Sequence, residues 1–135
     1  MDEIKGIPAI GRVTFTVHLI VAVVVGLPLL IMPTAFGSWF GYPAAPPELE
    51  VVFRSFGALL LFFGGGTSLY GITSKSWERM VCIVRAEIVY LAVQSLLFLY
   101  AALSGGGDIV GNWNFAVVSV VVCVLFIVTH AESSK

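Results

Sequence analysis

The sequence predicts an all-α protein, a bundle of four transmembrane helices in one domain over residues 1–135. The mean hydropathy is +1.01, and 59% of the residues are hydrophobic whereas only 11% are charged. Soluble proteins carry about 25% charged residues, so this composition cannot cover a water-facing surface. Four apolar runs are each long enough for a helix that crosses a bilayer, which takes about 20 residues. We place these spans at about residues 10–32, 51–72, 80–103 and 109–129.

The first and last spans need separate justification. The first is longer than the apolar region of a signal peptide, about 7–15 residues, and only a weakly basic segment precedes it, so we expect it to be retained. Pro28 is expected to bend or end its last turns. The last span is rich in valine at 117–128, which in water would favour a strand. In lipid an isolated strand would leave its backbone groups unsatisfied, so a helix is predicted.

The distribution of basic residues predicts a multi-pass protein of the cell membrane with both termini in the cytoplasm. The loops at 33–50 and 104–113 contain no Lys or Arg. The basic residues outside the spans or at their edges all fall on the opposite side of a four-span topology: Lys5, Arg12, Lys75, Arg79 and Lys135. Cytoplasmic loops are enriched in Lys and Arg, so this side is assigned to the cytoplasm.

Aromatic side chains are expected to form a belt at each membrane interface, where their amphipathic rings are favoured. The predicted outer belt contains Trp39, Tyr42, Tyr100 and Trp113, and the predicted inner belt contains Tyr70 and Trp77. The segment 36–40 is expected to lie along the outer surface.

Composition and motifs exclude several classes of function. The net charge of −1 provides no basic surface for a nucleic acid. Cys82 and Cys123 lie in apolar runs, so neither a disulfide framework nor a metal site is predicted. The two histidines lie on different spans without a metal-ligand pattern, so no haem or other cofactor is expected. Motifs such as H-E-x-x-H and G-x-S-x-G are absent, which favours a protein that is not an enzyme.

The second span is rich in small residues, and four of them are candidates for helix packing: Gly57, Gly64, Ser68 and Gly71. Small residues four positions apart, such as Gly64 and Ser68, let two helix backbones approach closely. One interpretation is packing inside this bundle. The other is a hinge, or a contact between subunits, at the glycine run 64–66.

Arg54, near the outer end of the second span, is the candidate residue for an outer-surface site. Glu50 precedes it by four positions, which allows an ion pair on one helix face. Arg54 is interpreted either as a structural anchor or as a binding residue for an anionic headgroup or ligand. Apart from Arg54, the outer half of the bundle is expected to be almost featureless.

The candidate residues for binding a ligand or an ion lie in the inner half: His18, Arg85, Glu87, Tyr90 and Gln94. The last three follow i, i+3 and i+7 and form a polar stripe, which in a bilayer should face the bundle interior or a subunit contact. His18 lies at a comparable depth, so we predict a cytoplasm-facing polar cluster with Arg85 or His130 near its mouth. The cluster is interpreted either as a structural hydrogen-bond network or as a site for a proton, an ion or a small ligand.

Three stretches resemble small, uncharacterised prokaryotic families of four-helix integral membrane proteins. They are Pro33 after the first span, Phe40-Gly41-Tyr42-Pro43 in the outer loop, and Arg54-Ser55-Phe56-Gly57-Ala58 at the start of the second span. The resemblance covers most of the chain and implies the four-span fold. Those families have no established activity that could be transferred.

Three functions are compatible with these residues. The first is helix–helix association in the lipid bilayer, as an accessory subunit beside other membrane subunits or in a small homo-oligomer. The second is a small transporter or channel whose cytoplasm-facing polar site contains Glu87 and His18. The third is a membrane enzyme that acts on a lipophilic substrate with Arg85 and Glu87.

Overall fold

The computed structural model describes residues 6–40, 42–43, 46–105 and 109–133, and these contain helices but no strand. Lys5 and Lys135, which entered the orientation prediction, lie outside those ranges. The elements in chain order are α1 (Ala9–Ile31), α2 (Pro33–Ser38), α3 (Pro47–Ala58), a π-helical segment (Leu59–Gly64), α4 (Gly65–Thr73), α5 (Trp77–Ser104) and α6 (Ile109–Ser133). The helix α3, the π-helical segment and α4 follow one another without a break and form the second span.

Four helices are long and apolar enough to cross a membrane: Ala9–Ile31, Leu49–Thr73, Trp77–Ser104 and Ile109–Ser133. The predicted all-α four-helix bundle is therefore confirmed. The helix α5 begins at Trp77 rather than near residue 80, and α6 continues to Ser133 rather than ending near 129. Apolar length sets the minimum that must cross the bilayer, and a helix can continue into the interface beyond it.

The four spans alternate in direction, which defines two ends of the bundle. The terminal end is where α1 begins and α6 ends, and the loop end holds the connections from α1 to α3 and from α5 to α6. Arg12, Lys75 and Arg79 belong to the terminal end. The assignment of this end to the cytoplasm stays a prediction.

The helix α1 is the central helix of the bundle. It packs against the second span along α3, the π-helical segment and α4, and it also packs against α6, which in turn packs along α5. In the described part of the chain, the second span and α5 do not form a comparable interface. The spatial order is therefore second span, α1, α6 and α5, with a gap between the second span and α5.

Two glycines of the second span let it lie close to α1. A Cβ atom on Gly57 would lie 2.6 Å from the backbone nitrogen of Leu30 and 2.8 Å from the carbonyl oxygen of Gly26. A Cβ atom on Gly71 would lie 2.5 Å from the ring of Phe15. These contacts are inside one chain, and Gly26 is a partner that the sequence pattern of the second span did not indicate.

The π-helical segment is a feature that the sequence analysis missed. The N–H of Gly65 donates to the carbonyl oxygen of Leu60, five residues earlier, as in the π-bulges that often accompany functional sites. A Cβ atom on Gly64 would make only an ordinary contact, 3.6 Å from the ring of His18, and one on Gly66 would meet open space. A hinge or a subunit contact at these glycines stays a prediction.

An apolar core joins α1, α5 and α6 toward the terminal end. Phe15, Met80, Val84 and Phe126 are completely buried there. The rings of Phe15 and Phe126 meet edge to face at 5.4 Å, a favoured arrangement for aromatic pairs. This core holds α5 and α6 against the central helix.

The six aromatic residues assigned to the interfacial belts divide into an exposed set and two exceptions, Tyr42 and Trp77. Tyr42 is half-buried, and its hydroxyl donates to Oδ1 of Asn112 at 2.7 Å. The exposed set is Trp39, Tyr70, Tyr100 and Trp113, as expected for side chains at membrane interfaces. Trp77 was assigned to the inner belt, but it is only 7% exposed. Its ring packs edge-on against His130, with ring centroids 6.2 Å apart, so this residue belongs to the packing between α5 and α6.

Candidate ligand-binding site within the membrane

The first component of the site is His18, which is buried near the middle of α1. Nine residues separate it from the start of α1 at Ala9, about 14 Å along the axis at 1.5 Å per residue. Its Nδ1 lies 2.9 Å from Oγ of Ser68 in α4, and the ring of Phe126 meets it edge-on at 5.3 Å. When the Ser68 hydroxyl donates to Nδ1, the ring proton resides on Nε2.

The second component is Glu87 of α5, which is 7% exposed. The hydroxyl of Thr67 donates to its Oε1 at 3.3 Å. Its Oε2 lies 4.0 Å from Nε2 of His18, which is too long for a direct hydrogen bond. Among the described residues, no Lys or Arg forms an ion pair with Glu87. A carboxylate with so little support is costly inside a membrane and points to a function.

The structure therefore brings His18, Glu87 and Ser68 together from three helices. Thr67 is a site residue that was not predicted from the sequence. Its position beside Ser68, at a depth similar to that of His18, was a usable signal. Because successive helix positions are about 100° apart, the two hydroxyls reach different partners.

Arg85 lies apart from this cluster. Its Nε donates to Nε2 of His130 at 3.1 Å, across the α5–α6 interface, and its side chain is exposed. Two positions in a helix differ by about 200° in direction, so Arg85 and Glu87 project to opposite flanks of α5. Arg85 and His130 were predicted near the mouth of the Glu87 cluster, but they form a pair of their own.

A cavity of about 460 Å³ extends from His18 toward the loop end. Its wall is mainly aliphatic and aromatic, and the polar side chains in the wall include Gln94, Asn112 and Ser119. The expectation that this half of the bundle is almost featureless is therefore wrong. A cavity lined mainly by apolar residues cannot be recognised from the positions of charged residues in a sequence.

The loop end of this cavity is covered by α2 and the residues that follow it. Phe36 is buried and contacts the ring of Phe40 at 5.1 Å. Phe40 contacts Phe115 at 5.1 Å, and Phe115 stacks on Phe98 at 5.2 Å. This row of four rings joins α2 to α5 and α6. The segment 36–40 is thus a cover with a buried side, rather than only a surface segment.

A second cavity, of about 350 Å³, lies in the gap between the second span and α5. We call it the lateral cleft. Leu59, Leu60, Phe63 and Gly64 of the π-helical segment line one wall, and residues of α5 from Cys82 to Tyr90 line the other. Glu87 and Thr67 belong to this cleft. His18, Leu60 and Tyr90 line both cavities, so they form the partition between them.

The polar stripe of α5 therefore follows the two cavities in sequence. Glu87 lines the lateral cleft, Tyr90 lines both cavities, and Gln94 lines the larger one. The predicted cluster was expected to face the cytoplasm. The larger cavity beside His18 instead extends toward the loop end, which is the predicted outer side.

Arg54 lies at the loop end, where its guanidinium caps α1. Its Nη1 donates to the carbonyl oxygens of Leu30 at 2.7 Å and Ile31 at 2.9 Å. Its Nη2 lies 3.7 Å from Glu50, four residues earlier in α3. A cation at a helix C-terminus satisfies unpaired carbonyls and interacts favourably with the helix dipole. The geometry of Arg54 is that of an anchor between α1 and the second span.

Metal chemistry has no assembled site in the described ranges. No three side chains of His, Cys, Asp or Glu come close enough there to hold a metal ion. The chemistry that the site can offer is hydrogen bonding by hydroxyl and imidazole groups, one carboxylate charge, and extensive apolar contact.

Comparisons with known proteins found no similarity that could assign a function. No family model, no curated protein and no solved structure matches the chain. The fold and the geometry of the site define a small polytopic membrane protein with an internal cavity, and its role has to be inferred from its own residues.

Proposed function

We propose that this protein is a small membrane carrier that binds a lipophilic molecule at the junction of its two cavities. The observation that carries the proposal is the position of the buried His18 between a cavity that extends toward the loop end and a cleft that lies between two spans, with Glu87 beside it in the cleft. A carrier needs a site that communicates with two sides. Here the two sides are the bilayer interior and the loop end, where α2 would have to move aside.

The sizes of the cavities support a small-molecule ligand. Their volumes are about 460 Å³ and 350 Å³, and binding pockets for small molecules have volumes of about 300–1,000 Å³. Such pockets combine a largely apolar wall with a few polar groups that orient the ligand. In this protein Gln94, Asn112 and the His18–Glu87 pair are those groups.

The partition between the cavities is formed by side chains rather than by backbone. Leu60 belongs to the π-helical segment and Tyr90 is only half-buried. A change of rotamer at these two residues would join the cavities without separating the helices. Exposed side chains change rotamer in picoseconds to nanoseconds, and Tyr90 is the exposed member of this partition.

The proposal is tested by blocking the larger cavity. Val25 lines it, whereas the neighbouring Val24 is exposed on the outer face of α1. The probe is a long-chain alcohol with a photoactivatable diazirine, added to the protein in lipid nanodiscs. We expect cross-links on cavity-lining peptides in the wild type and in Val24→Trp, and at least a fivefold loss in Val25→Trp. Equal labelling of both variants would overturn the carrier proposal.

A second candidate function is association with another membrane subunit or with a second copy. It is favoured by the lack of an extensive interface between the second span and α5 in the described ranges, since a helix of a partner could occupy the lateral cleft. Close packing of helices in lipid depends on small residues, and Gly64, Cys82 and Ala86 line this cleft.

Native mass spectrometry of gently solubilised protein separates the two candidates. A carrier predicts a single chain with a bound lipophilic molecule of less than about 1 kDa. Association predicts a mass that corresponds to two or more chains, and Ala86→Trp should then dissociate the assembly. The control is Val89→Trp, which is exposed and lies outside the cleft.

A further inference from the structure

We infer that the lateral cleft binds lipophilic cations and that Glu87 is their counter-charge. The inference rests on the proposed carrier function and narrows its ligand to a chemical class. It is carried by the placement of one nearly buried carboxylate in an otherwise apolar cleft between two spans.

Glu87 has no basic group within direct hydrogen-bonding distance in the described part of the protein. Its nearest basic group is His18, at 4.0 Å. An imidazolium and a carboxylate that paired directly would be separated by about 2.7–2.9 Å. The longer distance, together with the contact of Nδ1 with Ser68, matches a neutral imidazole. A cationic ligand would therefore supply the opposite charge that the site lacks.

The walls of the cleft suit an organic cation rather than a metal ion. Phe63 and Tyr90 place aromatic rings in its lining, and a ring face attracts a cation within about 6 Å of its centroid. The neighbouring wall is aliphatic, with Leu59, Leu60 and Ile83. These groups can cover the apolar substituents of a quaternary ammonium or phosphonium ion but cannot coordinate a small hydrated ion.

The same features select against anions. A lipophilic anion in the cleft would lie beside the carboxylate of Glu87. In a medium of low polarity, two negative charges at such short range repel each other strongly. Arg85, the basic residue nearest to Glu87 in the sequence of α5, pairs with His130 on the opposite flank.

Access to the cleft comes from the bilayer. The second span and α5 are not packed against each other in the described part of the chain, and the side chain of Phe63 at the cleft is mostly exposed. Lipophilic cations partition into membranes, so they reach the cleft by diffusing within the bilayer. Thr67 and Ser68 then hold the carboxylate and the imidazole in position at its floor.

The experiment measures binding of tetraphenylphosphonium to the whole protein in nanodiscs by equilibrium dialysis. We expect Glu87→Gln to weaken binding at least tenfold, because it removes the charge and keeps the shape. The matched control is Glu78→Gln, the same change at an exposed position in the first turn of α5, with binding within twofold of the wild type. Tetraphenylborate, which has nearly the same shape and the opposite charge, should not bind to the wild type.

A second variant covers the case that Glu87→Gln does not fold. Ala86→Phe fills the cleft and leaves the carboxylate in place, and it should also weaken binding of tetraphenylphosphonium at least tenfold. Binding that is unchanged in the folded variants, or equal binding of tetraphenylborate, would overturn the inference. The neutral diazirine alcohol is the separate control. If it still labels the larger cavity while the cation does not bind, only the cation assignment fails, and if both fail, the carrier proposal fails as well.

Discussion

The two flanks of α5 differ in how closely they are packed. On one flank, Met80, Val84 and Leu91 are buried in the core that includes Val122 and Phe126 of α6. On the other flank, Cys82, Ile83 and Ala86 line a cleft, and the buried Glu87 lies at its border with the packed flank. A helix with one continuous apolar sequence thus has a packed side and an open side. The difference shows that hydropathy selects the helices that enter the bilayer but does not decide which of their faces meet.

The physical reason is that the helices are surrounded by lipid rather than by water. Lipid tails are as apolar as the side chains of α5, so there is no hydrophobic penalty for leaving a face unpacked. Packing must instead arise from close van der Waals contact and from hydrogen bonds between helices. The α5–α6 interface provides such contact through Phe126 and Val122. A helix packed against the other flank would have to satisfy the carboxylate of Glu87 at its border.

The largest effect is expected from truncating Phe126, a side chain of α6 in the core that covers the packed flank of α5. Phe126→Ala should lower the free energy of unfolding by about 3 kcal/mol, because it leaves a cavity beside Phe15 and His18 in a closely packed region. The free energy is measured by titration with SDS in mixed micelles. The control is Phe63→Ala in the π-helical segment, whose side chain faces the lateral cleft. It should cost less than about 1 kcal/mol. Equal costs for the two variants would remove the distinction between the flanks.

A somewhat smaller effect is expected at the close contact between the second span and α1. Gly57→Ala should cost about 2 kcal/mol, because the added Cβ atom would meet backbone atoms of Gly26 and Leu30, which cannot rotate away. Gly66→Ala meets open space and should be neutral or stabilise by about 0.5 kcal/mol. The same SDS titration measures both. A neutral Gly57→Ala would contradict the close approach of the second span to α1.

The rates at which the two cysteines react measure how accessible the open and the packed sides of α5 are. Cys82 is exposed at the open flank, whereas Cys123 is buried in α6, where its thiol faces the carbonyl of Ile88 at 3.6 Å. N-ethylmaleimide should therefore modify Cys82 at least ten times faster than Cys123, as followed by intact mass and peptide mapping. Cys82→Ser should remove the fast adduct. Tetraphenylphosphonium should slow the reaction if it occupies the lateral cleft, and equal rates at both cysteines would contradict the open flank.

The smallest expected effect concerns a hydrogen bond within the packed region. The hydroxyls of Thr14 in α1 and Thr129 in α6 lie 2.8 Å apart and are buried. Hydrogen bonds between helices in membranes contribute about 0.6 kcal/mol on average, so Thr14→Val should cost about that much. A double-mutant cycle with Thr129→Val isolates the pair. A coupling energy near zero would show that apolar contact alone holds this interface.

Much of the fold followed from residue types, since four long apolar runs leave few alternatives in a bilayer. The depth of a residue could also be calculated, because each helical residue advances by 1.5 Å. This is why His18 and Glu87 were assigned to one cluster, and the structure places their side chains 4.0 Å apart. The role of Gly57 was likewise visible as a small residue in the second span, although its partner Gly26 was not.

Other parts of the site could not be derived in this way. The order of the helices around the bundle depends on which faces fit together, and that fit involves Gly26, Gly57 and Phe15 from distant parts of the chain. The π-helical segment shifts the faces of the second span and places Leu60 and Phe63 at the cleft. Prediction of helix faces from periodicity assumes a regular helix, so it cannot detect a local insertion of this kind.

The sequence by itself determined that this protein is an all-α four-span bundle, because each apolar run must satisfy its own backbone in lipid. It also indicated that an ionisable pair lies within the membrane. Only the tertiary structure decided that α1 is central, that α5 packs on one flank alone, and that His18, Leu60 and Tyr90 separate two cavities. These outcomes depend on steric fit between helices, and in a bilayer the hydrophobic pattern of a single span carries little information about that fit.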